Sequence, residues 1–142
     1  MLWNGLSRYK DIGLLILRLG VGLDYAILHG WGKISGGPER WARVGEAMGA
    51  LGIEFGYTFW GFMAGFSEFF GGLLFALGLF FRPMCAFLAF TMFVATSNHL
   101  ASGDGWGGAS HALKMIFVFT GMLFIGPGKY SLDAWLARRR GQ

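Results

Sequence analysis

Cysteine, proline and charge are all scarce in this sequence. A single cysteine, Cys85, stands among 142 residues. It excludes an intramolecular disulfide and CxxC dithiol chemistry. It also excludes an iron–sulfur centre held by this chain's own cysteines. No Gly-x-Gly-x-x-Gly motif follows a strand pattern, which removes a Rossmann-type dinucleotide site. Charged residues make up only 14% of the chain, against about 25% in soluble domains. The strict period-2 alternation of a membrane barrel is missing as well.

What is present is apolar. Hydrophobic residues make up 54%, with Phe at 15 and Gly at 25, and mean hydropathy is +0.49. The net charge is +4. Its basic residues cluster at the ends of apolar runs rather than on one polar face. That pattern anchors helices in a bilayer and does not point to nucleic acid.

A transmembrane helix needs about 20 mostly apolar residues. Four segments come close, at 11–31, 57–81, 83–100 and 110–126. The expected fold is an all-α, integral membrane four-helix bundle in one domain. Arg18 and Asp24 interrupt the first run and no A-x-A-like site follows, so it is not read as a signal peptide. Arg8, Lys10, Arg82, Lys129 and Arg138–Arg140 gather at one side. The positive-inside rule makes that side cytoplasmic, with both termini there. Trp3, Tyr9, Tyr130 and Trp135 form its aromatic belt. "FFRP" (80–83) reads as a tight inner turn and "ASGDGWGGAS" (101–110) as an outer loop. In the linker 34–56, Pro38 suits a first helical turn. Trp41, Val44, Met48 and Leu51 then recur at helical spacing, predicting a short amphipathic helix on the outer membrane face. Ser131 is placed to cap a C-terminal helix whose arginines can meet anionic lipid headgroups.

Ionisable residues inside a span are expensive, so they have partners or functions. Arg18 and Glu68 fall at compatible depths, which predicts an Arg18–Glu68 ion pair. It either fixes helix register or serves as a proton relay. Arg18, Gly22, Tyr25 and His29 share one helical stripe. Gly61, Gly65, Glu68 and Gly72 share another, and small residues there permit close helix packing. His29, His99 and His111 all fall at the outer face with Lys33, Lys114 and Asn98, which marks a candidate outer site.

"LRLGVG", "HGWGK" and "EFFGGLLFALGLFFRP", in that order, resemble the DoxX family of small four-helix bacterial membrane proteins. The resemblance covers roughly residues 11–126. It implies a cytoplasmic-membrane protein, and in some members a link to quinone oxidation, as in thiosulfate:quinone oxidoreductase subunits. It marks Arg18, His29, Lys33 and Glu68 as residues that matter, without assigning them a reaction.

The first functional expectation is an accessory, quinone-interacting subunit of a membrane redox system. His29, Lys33, Tyr25 and His99 would donate to the quinone carbonyls, with Trp31 and Trp60 lining the slot and Glu68 relaying protons. Electrons would come from a redox partner protein, and a homo-oligomer is an open alternative. The competing readings are a non-catalytic scaffold or assembly factor, a metal or haem site on the three histidines, and a small-molecule transporter.

Overall fold

The computed structural model describes residues 5–141; Trp3 lies outside them. Four helices are long and apolar enough to cross a membrane. They are α1 (Leu6–Ile34), α3 (Tyr57–Leu77), α4 (Phe81–Ala101) and α5 (Gly105–Ile125). Between the first two lies α2 (Gly37–Gly45), and α6 (Leu132–Arg140) closes the chain. No strand occurs among the described residues. The chain is thus an all-α membrane bundle.

Both termini lie at one end of the bundle, where the Lys129 amide donates to the Asp11 carboxylate at 2.9 Å. That end is called the terminal end here, and the opposite one the far end. Buried Phe75, Phe81, Cys85, Leu88, Met92 and Phe119 fill the core. Phe75 stacks on Phe81 at 4.9 Å and meets Phe119 edge-on at 5.4 Å. Glycines set the closest helix approaches. A Cβ at Gly22 would strike Gly72 and Ala76, and one at Gly30 would strike the Phe69 backbone. Lipid tails are as apolar as the side chains, so such close contact is a main source of helix association in a bilayer.

Three boundaries differ from the sequence reading. "GWGGAS" (105–110) is the first part of α5, not loop: Asp104 precedes it, and its carbonyl receives the Gly108 amide at 3.4 Å. The turn between α3 and α4 is Gly78–Phe80, and Phe81, Arg82 and Pro83 already belong to α4. Phe80 is held at φ +47°. The Asp133 carboxylate fixes it there, accepting from the Phe80 and Phe81 amides at 3.0 and 2.9 Å. A residue of α6 therefore caps α4, a pairing 52 positions apart. Ser131 caps α6 as expected, accepting from the Ala134 amide at 3.2 Å.

The third difference sets the functional architecture. The expected surface-lying helix is α2, and it runs antiparallel along the first half of α3. A Cβ at Gly45 would fall on the Tyr57 carbonyl, and one at Gly61 on the Trp41 carbonyl. Because α3 runs back toward the terminal end, α2 continues in the direction of α1. The first crossing is therefore a broken helix, interrupted at Ser35–Gly36. Gly37 carries the left-handed φ of +77° that the break requires, and Pro38 follows in the first turn of α2.

Candidate functional site

The break brings the end of α1 deep into the bundle. Lys33 and Ile34 pack against Gly65, eight residues or about 12 Å along α3 from Tyr57. Lys33 thus stands well inside the span and not at its end. Its ammonium lies 2.5 Å from the Glu68 carboxylate. Glu68 is 2% exposed and Lys33 28%. Glu68 sits near the middle of α3, about 16 Å from one end and 14 Å from the other.

The expected Arg18–Glu68 pair is not formed; Glu68 takes Lys33 instead. Arg18 lies level with Gly78, at the terminal end, where a Cβ would meet its guanidinium. The Arg18 Nη2 donates to the Tyr130 carbonyl at 2.7 Å. Its Nε and Nη1 are buried without a partner. The nearby Asp133 carboxylate supplies the compensating charge. The reason for the mispairing is vertical offset. Gly22 meets Gly72 and Ala76, and Gly30 meets Glu68 and Phe69, so α1 starts farther toward the terminal end than its apolar run suggested.

Two wide helical turns place the polar groups. One spans Tyr25–Gly30 and the other Ser67–Gly71, and both are π-helical. They face each other through Gly30 and Phe69. A π turn inserts a residue into the helical register, and such turns are common at functional sites. Here the insertion turns the residues that follow it onto another face. His29 faces α5 while Lys33 faces α3.

The histidines accordingly divide. His29 stacks on His111 with ring centroids 5.5 Å apart, and its Nε2 lies 3.5 Å from the Asp24 carboxylate. Tyr25, buried, reaches His111 Nε2 at 3.4 Å and donates to Met92 Sδ at 3.1 Å. His99 belongs elsewhere, paired with Asp104 at 2.7 Å. The three histidines therefore do not converge, and no cluster of three metal-ligating His, Cys, Asp or Glu residues occurs among the described residues.

Beside the Lys33–Glu68 pair opens a cavity of about 550 Å³ between α2, α3 and α4. Glu68, Ser67 and Thr91 form its polar floor, with Ser67 and Thr91 hydrogen-bonded at 2.9 Å. Phe59, Trp60, Phe87 and Phe90 supply aromatic walls, and His99 stands toward the far end. Phe59, Phe87 and Phe90 are 45–57% exposed, so the cavity meets the lipid-facing surface. The Trp60 indole N–H is buried without a partner. Of the five residues expected to hold a cofactor, Lys33 and His99 line this cavity, while Tyr25, His29 and Trp31 do not. Trp31 is 58% exposed and packs on Phe69 at 5.5 Å.

Trp41 acquires a role that its position on an apolar face did not suggest. Its indole N–H donates to the Lys33 carbonyl at 2.8 Å. At the helix break that carbonyl keeps one backbone donor, the Gly36 amide at 3.2 Å. The indole adds a second, shorter bond at membrane depth, where backbone groups must be satisfied by the protein. Trp41 thereby fixes the backbone that carries Lys33. Pro38 with the flanking glycines was the only sequence signal for such a break.

Against known proteins, the DoxX family model matches residues 13–100. That stretch holds the broken first crossing, α3 and most of α4, and with them the ion pair and most of the cavity wall. No curated protein and no solved structure matches the chain.

Proposed function

The chain belongs to the DoxX family, and we propose that it is the quinone-interacting, accessory subunit of a membrane redox system, with the quinone head held in the cavity beside Lys33 and Glu68. The observation that carries this reading is the ion pair itself. A charged pair at mid-depth is costly to keep in a bilayer, and this one forms the wall of an aromatic cavity that opens toward lipid. Interruptions of a spanning helix are tolerated where they line a cavity, and ligand sites gather there.

The lining suits a quinone. An aromatic slot accepts a flat ring, and the lipid-facing rim accepts an isoprenoid tail. Quinone carbonyls need donors, and the Lys33 ammonium is a donor on this wall. A bound quinone supplies two-electron, two-proton chemistry. The chain's own contribution is to hold the Glu68 carboxylate beside the Lys33 ammonium on the cavity wall, where Glu68 would relay protons. Electrons would enter from a partner protein. We place the chain in the bacterial inner membrane with both termini cytoplasmic, because basic residues crowd the terminal end.

The scaffold reading has one observation in its favour. Gly13, Gly20 and Gly121 have no neighbour within 4 Å of a Cβ position, leaving small residues on outward faces of α1 and α5 for another helix. Extraction in mild detergent, followed by mass spectrometry of the organic phase, separates the two. Near-stoichiometric quinone that is lost in Lys33→Gln and in the cavity-filling Ala64→Phe, but kept in His29→Ala, supports the redox reading. Quinone-free protein, or equal loss in His29→Ala, overturns it.

A further inference from the structure

A second concavity lies at the terminal end, remote from the Lys33 cavity and independent of the quinone reading. It measures about 410 Å³. Leu15 and Leu19 of α1 and Leu77 of α3 form its floor; Lys129, Trp135 and Arg138 form its upper wall. The two halves differ in chemistry. The floor is aliphatic, and Leu19 and Leu77 remain 41% and 51% exposed. The wall carries two cations, and no Asp or Glu lies among the lining residues.

The nearby carboxylates keep their charge but turn their oxygens to backbone amides and do not line the groove. Both oxygens of Asp133 accept from backbone amides of α4. Asp11 accepts from the Lys129 amide. Behind the wall, buried Arg18 donates to the Tyr130 carbonyl with Asp133 beside it, so the charge offered to the groove is that of Lys129 and Arg138. The cations are also held in place. The Lys129 ammonium rests over the Tyr130 ring at 4.9 Å, and the Arg138 guanidinium approaches the Lys129 carbonyl at 3.5 Å.

An aliphatic trough capped by fixed cations fits one kind of ligand. We propose that this groove is a binding site for an anionic phospholipid of the leaflet facing the termini. Its phosphate would lie at Lys129 and Arg138, and an acyl chain along Leu15, Leu19 and Leu77. A free anion would leave the aliphatic floor without a partner. A zwitterionic lipid would bring its ammonium against the Lys129 and Arg138 cations, with no acidic side chain lining the groove to receive it. Trp135 and Tyr130 stand where aromatic side chains mark the headgroup level.

The test is native mass spectrometry of the full chain from nanodiscs of equimolar phosphatidylglycerol and phosphatidylcholine. The expected result is preferential retention of one phosphatidylglycerol per chain. Each basic residue near an anionic surface is worth roughly fivefold in affinity, so Lys129→Gln/Arg138→Gln should lower the preference by roughly 25-fold. Arg8→Gln/Arg140→Gln, which removes the same charge from residues that do not line the groove, should leave most of it. Leu19→Trp, which fills the trough, should reduce retention with all cations intact. Equal retention of both lipids by the parent chain overturns the proposal. So does an equal loss in the two charge variants, which would reveal unspecific basic attraction. Displacement of the lipid by 50 mM inorganic phosphate, or a tightly held polypeptide in its place, overturns it too. Helical content by circular dichroism confirms that each variant is folded.

Discussion

The ammonium of Lys33 lies 2.5 Å from the carboxylate of Glu68, joining the broken end of the first crossing to the middle of the second. The sequence separation is 35 residues. Each group satisfies the other where water is scarce, and neither is replaceable alone. Glu68→Gln should therefore lower thermal stability in detergent by about 2–3 kcal/mol. That is somewhat under the 3–5 kcal/mol typical of a broken buried pair, because Lys33 faces the cavity. Lys33→Met should cost a similar amount, and the double variant should cost clearly less than the sum. Additive losses in a double-mutant cycle would contradict the pairing.

Trp41 should act on the site through the backbone of Lys33. Trp41→Phe keeps the packing on Phe62, where the rings lie 5.0 Å apart, and removes the donor to the Lys33 carbonyl. The Gly36 amide still donates to that carbonyl at 3.2 Å, so the expected stability cost is that of one hydrogen bond, about 0.5–1.5 kcal/mol, together with weaker retention of any cavity ligand. Unchanged hydrogen exchange across residues 31–37 in this variant would argue against that role.

Arg18 ties α1 to the segment that precedes α6. Arg18→Met should release the Tyr130 carbonyl and raise hydrogen–deuterium exchange in 126–140 more than anywhere else in the chain. Its net stability change should be smaller than the loss of one strong hydrogen bond suggests, because two of its nitrogens are buried unsatisfied in the parent and that cost disappears. A uniform rise in exchange over all helices would show a general loss of packing instead.

Glycines at helix contacts should tolerate nothing larger, whereas outward-facing ones should. Gly61→Ala and Gly45→Ala put a Cβ onto a carbonyl of the facing helix, and each should cost on the order of 1–3 kcal/mol by overpacking. Gly121→Ala meets open space and should be neutral or stabilising by roughly 0.5–1 kcal/mol within the helix. Thermal unfolding of the three variants checks the order. A Gly121→Ala loss as large as that of Gly61→Ala would indicate a partner on that face.

The tyrosine–histidine cluster should be separable from the cavity. Tyr25→Phe removes the donor to Met92 and the contact with His111, and should cost about 0.5–1.5 kcal/mol. Quinone retention should be unaffected, since Tyr25 does not line the cavity. Loss of quinone in Tyr25→Phe would join the two polar regions into one site.

Apolar run length and the scarcity of charge were enough to read a four-helix membrane bundle. Helical spacing put Arg18, Gly22, Tyr25 and His29 on one stripe, of which the first three are buried, and burial of Glu68 followed from its place inside a span. Partner choice was not legible in the same way. Extending that stripe four residues to Lys33 assumes a uniform helical period, which the π turn at Tyr25–Gly30 breaks. The Arg18–Glu68 expectation assumed that apolar runs begin at one depth, and close packing of Gly22 on Gly72 sets a different offset.

Sequence by itself determined the class of the molecule, because crossing a bilayer requires long apolar segments whose backbone groups are satisfied within helices. Tertiary structure alone decided the site. The fold of α2 back along α3, the donation from Trp41 to Lys33 and the ion pair with Glu68 all depend on contacts between residues distant in the chain. Such contacts are fixed by packing and charge compensation, which periodicity along a single helix does not encode.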